Sequence, residues 1–361
     1  MRTYLFLILS IATLWGCQPS GDPKYVSLEE VKYINFSPQY EDLNEISANI
    51  HEIGFRDIKV VGDSLIVLNH GRDWSIHSAD GIKSYGHCLS IGQGPDEFLC
   101  IPYVGTALFE MAQDSLWAYI PDEYNKRIMA FNVSEFIKNG NQILRPTIKS
   151  NLLSSSIWTV IPYSNKEFMM LEPTDNLHGF RRIITQGDTI VELPITKTLS
   201  KHIVDKGATD INLISAVVQY VPCVDKFVEA MVYLNQINIY SRDGLSGATI
   251  CVGGKLDNLA KVENTPRNNR VWTYYNIFGN KLGFGAVYSG YIQQSLSKKS
   301  DIQIFNWNLE PVYHVILPYE VDAAEIDLSN KRLWVIDKDE DVLRCYDATP
   351  IIKAYEKNTQ S

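Results

Sequence analysis

Apolar residues along this chain come in short runs, each opened by a polar turn and followed by a second run in which apolar and polar positions alternate. Period-two runs bounded by Asn, Asp, Gly and Ser predict strands joined in hairpins, and helical periodicity is nearly absent. The clearest copies open at Gly62-Asp63-Ser64-Leu65-Ile66-Val67-Leu68, Gln113-Asp114-Ser115-Leu116-Trp117-Ala118-Tyr119 and Asn330-Lys331-Arg332-Leu333-Trp334-Val335-Ile336. Weaker copies surround Phe168, Phe227 and Leu282. Aligning Ile66, Trp117, Phe168, Phe227, Leu282 and Trp334 gives steps of 51, 51, 59, 55 and 52 residues. A period near fifty identifies a repeat architecture.

Six near-equal units of two hairpins predict an all-β fold, a six-bladed β-propeller with four-stranded antiparallel blades. A seven-bladed ring and two separate β-domains fit the steps less well. Each blade can bury its faces only against its neighbours, so the ring must close. Too little chain follows the last repeat for a full outer strand. We therefore expect the N-terminal segment around residues 24–53 to supply a strand to the last blade. One exception to strand is Asn132–Gly140, where an Asn start and a Gly stop predict a short helix on an inter-blade loop. A second short helix is expected within Ile351–Glu356.

The beginning of the chain carries a different signal. Arg2 is followed by an apolar run from Tyr4 to Trp15 and then by Gly16-Cys17-Gln18-Pro19-Ser20. The run is too short to span a membrane and has the layout of a signal peptide. Leu14-Trp15-Gly16-Cys17 resembles the lipobox of bacterial lipoproteins, which implies cleavage before Cys17 and lipid attachment to its sulfur. The expected organisation is a signal peptide over 1–16, a lipidated tether over 17–24, a propeller over 25–350 and a C-terminal tail over 351–361. Gln18 after the cysteine favours the outer membrane. The periplasmic or surface face is left open.

A net charge of −9, with no basic stripe, argues against nucleic acid as a partner. Aromatic residues make up 11% of the chain, as suits strands. Besides Cys17 there are Cys88, Cys100, Cys223, Cys251 and Cys345, with no CxxC pair, so a structural zinc site on cysteines is not expected. A Cys88–Cys100 bridge and buried free thiols are both open.

Gly92-Gln93-Gly94-Pro95-Asp96-Glu97-Phe98 resembles the Gly-x-Gly-Pro-Gly-Glu-Phe loop of NHL-type propellers, with Asp96 in place of a glycine usual in that loop. Over roughly Val26–Asp347 the chain resembles the TolB-like six-bladed propeller lipoproteins of Bacteroidetes. The two glycines are expected to supply positive φ, and Phe98 to wedge between blades. In NHL-like propellers the turns between second and third strands ring one mouth of the channel. That resemblance places His70, Arg72 and Asp73 of the first blade around a binding pocket, with Tyr124, Asn125 and Arg127 of the second. His178 of the third and Asp337 and Asp339 of the last complete the set. Taken singly, each of these residues is better explained as part of an ordinary solvated hairpin turn.

No nucleophile elbow, metalloprotease helix or P-loop occurs. Asp337, Asp339 and Asp341 alternate like the start of an EF-hand, but Val342 and Ala348 stand where that loop needs Gly and Glu. No catalytic residue, no metal ligand and no cofactor is assigned, although calcium at the mouth is possible by chemistry. The leading expectation is a non-enzymatic envelope lipoprotein, held to the membrane by the lipid on Cys17, that binds a peptide, glycan or protein partner. The alternatives are a metal-dependent hydrolase or lactonase with its site at the channel mouth, and a structural subunit of an outer-membrane complex.

Overall fold

The computed structural model describes residues 31–36, 43–148, 153, 157–175, 177–187, 189–192, 204, 206, 209–292, 295 and 299–359. The leader, Cys17, the tether and Asn176 lie outside the described residues. The strands form six sheets, one per expected repeat, spanning 57–88, 108–148, 159–191, 216–252, 271–317 and 321–347. The chain is thus a six-bladed β-propeller with four-stranded antiparallel blades. Within each blade the strands pair in sequence order.

Blade six has only three strands of its own. Its fourth is Glu45–Ile46, which pairs antiparallel with the outer strand Val342–Asp347 (Glu45 opposite Tyr346, Ile46 opposite Cys345). A second N-terminal strand, Val31–Ile34, adds in parallel to Gly247–Val252 at the edge of blade four. The repeat pattern gives no hint of this fifth strand.

Alternation along each strand puts apolar side chains on both faces of every blade, and the core is split accordingly. Six buried clusters fill the six gaps between neighbouring blades. Ile58, Ile66 and Leu68 of blade one meet Trp334, Ile336 and Leu343 of blade six, so the last gap is packed like the others. Burying one such side chain stabilises by about 1.5–3 kcal/mol, a gain available only when a neighbour covers the face. This dependence is why the ring closes on itself.

The Gly-Pro loop works differently from the expectation. Neither Gly92 nor Gly94 has positive φ. Instead the Glu97 carboxylate folds back over both glycines and accepts the Gly94 amide at 2.7 Å. A Cβ on Gly92 would come within 2.0 Å of that carboxylate, so a larger residue there would push the Glu97 side chain off the Gly94 amide. Phe98 is fully buried among residues of blades one and two, acting as the wedge.

The helix Val133–Asn139 has Asn132 as N-cap, accepting the Glu135 amide, and Gly140 as left-handed C-cap. It lies inside blade two, joining the third and fourth strands, not between blades. This corrects its expected position. The C-terminal helix Thr349–Thr359 is longer than expected, and its Ile351 and Tyr355 pack into the cluster between blades five and six. All five described cysteines are free, which removes the Cys88–Cys100 bridge; Cys88, Cys251 and Cys345 are buried thiols. No described helix is long and apolar enough to cross a membrane.

Candidate functional site

The innermost strands Asp57–Val61, Leu108–Ala112, Thr159–Pro162, Ala216–Val221, Val271–Gly279 and Val321–Asp327 surround the central channel. Two cavities open into it from opposite ends, of about 260 and 240 Å³, and both reach Gly105, Thr106 and Gln219. The first lies on the face where the innermost strands begin and is lined by Arg56, Asp57, Tyr103, Gln219, Asn276 and Asp322 among others.

Charge is concentrated in this channel. Asp57 is 3% exposed and accepts the amides of Ile58 at 2.9 Å and Gly105 at 2.7 Å. Burial pushes its carboxyl up to about 6 despite these hydrogen bonds. Glu325, also 3% exposed, is pushed up to about 7 by burial, although Lys59 Nζ stands 3.0 Å away. At the rim, Asp322 lies 3.6 Å from Arg56 and 3.4 Å from Lys338, and Lys338 contacts Glu320 at 2.7 Å. Burial raises the Asp322 carboxyl as well.

The turns between second and third strands lie on this same face, because the end of each second strand is registered against the start of the innermost one (Asn69 opposite Asp57, Asp337 opposite Val321). Yet none of the nine residues expected at the mouth lines the 260 Å³ cavity. Several serve the turns themselves. Arg127 donates to Asp122 Oδ2 at 2.8 Å and to the carbonyls of Pro95 and Glu97 at 2.6 and 2.7 Å, clamping the Gly-Pro loop onto blade two. Asn125 donates to the same Asp122 carboxylate. Asp337 is buried, accepts the amides of Asp339 and Glu340, and pairs with Arg344 at 2.8 Å. Asp339 accepts the Glu320 amide. His178 Nδ1 lies 2.5 Å from the Val204 carbonyl, tying down the chain beside blade three. Tyr124 and Arg72 are exposed.

A calcium-dependent hydrolase would need several hard oxygen ligands converging in the mouth. Among the described residues no group of three carboxylates does so: Asp57 is engaged by amides, Glu325 by Lys59, and Asp322 by Arg56 and Lys338.

His70 and Asp73 belong to a different constellation, on the outer half of blade one. Here Glu52, in the connection from Glu45–Ile46 to blade one, meets His70, His77 and His87. Glu52 Oε2 lies 3.2 Å from His70 Nε2 and 3.6 Å from His87 Nε2, and Oε1 lies 3.5 Å from His77 Nε2. Ser75 and His87 are registered partners on neighbouring strands and His77 is two residues on, so one sheet face carries all three. Burial lowers the His77 imidazole's affinity for a proton.

The sequence reading reached His70 and Asp73 but missed Glu52, His77, His87 and the whole channel lining. The signal for the channel was polar residues at interior positions of first strands, as in Asp57-Ile58-Lys59 and Ala324-Glu325-Ile326. For the cluster it was three histidines within eighteen residues of one blade.

No protein-family model matches the chain, and no curated protein does. Solved structures similar to it include a luciferin-regenerating enzyme (8% identity, TM-score 0.48, covering 84% of this chain and 94% of that one). Others are the Cps50 (Swd1) β-propeller domain of Myceliophteria thermophila (8%, 0.44, 85% and 99%) and a structural-genomics protein of unknown function from Bacteroides thetaiotaomicron (9%, 0.41, 89% and 75%). The fold assignment rests on the strand topology, and these distant likenesses carry nothing about function.

Proposed function

We propose that this chain is an envelope lipoprotein, anchored through a lipid on Cys17 and most simply at the outer membrane, whose propeller binds a small polar ligand such as a peptide or glycan terminus at the Arg56 end of its channel. The observation that supports this reading is the 260 Å³ cavity itself, where groups from several blades converge: Arg56 and Asp57, Gln219, Asn276, and Asp322. Concave sites with a few convergent polar groups are the usual form of a ligand pocket. Four carboxylates (Asp57, Glu320, Asp322, Glu325) against three cations (Arg56, Lys59, Lys338) favour a ligand that brings hydrogen-bond donors. The exposed Tyr103 offers an aromatic face beside them.

The mature chain would be screened against peptide and glycan libraries, and hits measured by calorimetry with Arg56→Ala, Tyr103→Ala and Asp322→Asn. Each variant is expected to weaken binding by about tenfold or more, the cost of one lost charged or aromatic contact. A ligand bound equally well by all three would remove the mouth from the reading. Cys17→Ser should abolish incorporation of labelled fatty acid; labelling of that variant would remove the anchor.

A further inference from the structure

The histidine cluster of blade one gathers three imidazoles around a single carboxylate. His70 Nδ1 faces the Ile53 carbonyl at 3.2 Å, so it carries the proton and donates there. His87 Nδ1 faces Asp73 Oδ2 at 3.1 Å and donates to that carboxylate. With both Nδ1 atoms engaged by these acceptors, both imidazoles turn Nε2 toward the same region, and what they meet there is Glu52 Oε2. That oxygen is inaccessible to water and receives no hydrogen bond. The neighbouring Ser75 hydroxyl lies 2.7 Å from His70 Nε2 and 3.0 Å from His77 Nε2; its one proton can satisfy one imidazole but leaves Glu52 unanswered. A carboxylate oxygen facing two imidazole nitrogens at 3.2 and 3.6 Å is satisfied by a positive charge shared among them, either a proton on an imidazole or a metal ion held by all three.

We propose that Glu52, His70 and His87 bind a divalent transition ion of the zinc class. The three ligand atoms lie within 4.8 Å of one another. Zinc–ligand bonds of about 2.0–2.1 Å set tetrahedral ligand–ligand edges of about 3.3–3.4 Å, close to the 3.2 and 3.6 Å that separate Glu52 Oε2 from the two imidazole nitrogens. Two imidazoles with one carboxylate select zinc and its transition-metal neighbours over calcium, which takes oxygen ligands. The Asp73 carboxylate and the Ile53 carbonyl behind the two imidazoles are the outer partners that hold metal-binding histidines in the right tautomer. His87 is 48% exposed and Glu52 31%, so the fourth position opens to solvent and gives the ion a way in. His77, buried behind Glu52, is a positioning residue for the carboxylate. The ion would join the connection between blades six and one to the outer strands of blade one. This site is separate from the channel mouth and does not depend on what binds there.

The full mature chain, stripped with a chelator, would be titrated with Zn²⁺ alone and in parallel with Ca²⁺, following bound metal and Tm. The expected result is one Zn²⁺ per chain with a rise in Tm that saturates at that ratio, and no rise with Ca²⁺. Co²⁺ in place of Zn²⁺ should give visible d–d absorption without a thiolate charge-transfer band, which distinguishes this site from the exposed Cys100 and Cys223. Asp73→Asn should weaken Zn²⁺ binding by about 10–100-fold, and His87→Ala and Glu52→Gln by at least as much. His51→Ala, one residue from Glu52 but outside the cluster, should bind like the wild type. His87 is exposed enough that its variant keeps the metal-free Tm, so lost binding there is not lost folding. Binding well below one ion per chain, or binding unchanged in both His87→Ala and Asp73→Asn, overturns the proposal.

Discussion

Arg182 and Glu229 form a charged pair buried between blades three and four, and its removal offers a sharp test of how the blades are held. The guanidinium, 2% exposed, donates from Nε at 2.9 Å and from Nη2 at 2.6 Å to the two oxygens of Glu229, which is fully buried. The Tyr240 hydroxyl donates to the same carboxylate at 3.2 Å. Glu229→Gln keeps the shape and one acceptor but strands a buried guanidinium. Breaking a buried pair in this way costs about 3–5 kcal/mol, much of it the penalty of the remaining charge. Unfolding entropy of roughly 2.1 cal/mol/K per residue over about 300 ordered residues is about 0.6 kcal/mol/K, so a loss near 4 kcal/mol lowers Tm by about 6 °C. Arg182→Met should cost a similar amount by stranding the carboxylate. The double variant Arg182→Met with Glu229→Leu strands no charge and leaves the Tyr240 hydroxyl with the weaker Met169 sulfur at 3.4 Å in place of the carboxylate, a loss of about 1–3 kcal/mol. Calorimetric melting of the wild type, Arg182→Met, Glu229→Leu and the double variant closes a cycle and gives the coupling directly. A double variant that melts as low as the sum of the two singles, or a Glu229→Gln variant within a degree of the wild type, would refute this account.

Two further outcomes follow from particular residues. Glu325 is raised by burial from 4.5 to about 7, so the folded protein holds its proton where the unfolded chain has lost it; the resulting destabilisation is absent below pH 4.5, grows as pH rises and is complete above pH 7. At 1.36 kcal/mol per pH unit this comes to about 3 kcal/mol, so denaturant-derived stability of the wild type relative to Glu325→Gln should fall by that order between pH 4.5 and 7.5, and a flat difference would contradict the burial of an ionisable carboxyl. Phe98→Ala opens a cavity between blades one and two and should cost about 3–5 kcal/mol in equilibrium unfolding, whereas a loss under about 1 kcal/mol would mean that the loop can be lifted without disturbing the blades.

The number of blades was legible because each second strand repeats an apolar run behind a polar turn, and a run such as Leu333-Trp334-Val335-Ile336 declares its burial without any knowledge of its neighbours. The helix at Val133–Asn139 was legible for a similar reason, since Asn132 and Gly140 act on the local backbone. Its place in the ring was not, because a cap says nothing about which strands flank it. The channel went unread for a physical cause: Asp57, Lys59 and Glu325 sit on first strands, whose inward side chains alternate with apolar ones and look like any half-buried strand. Only closure of the ring brings blades one and six together and gives those residues a common interior. Glu52 was the hardest to foresee, as its contact with His87 spans a connection with no regular pattern.

That connection is also where the ring is least secured by its own backbone. The outer strand of blade six is joined to its neighbour by two residue pairs, against three to six in the other blades. Apolar packing across the gap is intact, with Ile50 and Phe55 buried between blade six and blade one. Hydrogen bonding is not, and a short edge pairing opens at lower cost than the strands within a blade. A cation binding Glu52 on one side of the seam and His70 and His87 on the other would add a cross-link at this place. Because the site is assembled only when the connection lies against blade one, the free energy of ion binding would be added to ring closure. An equally tight site lying wholly within the core of one blade would stabilise that blade but leave the seam unchanged.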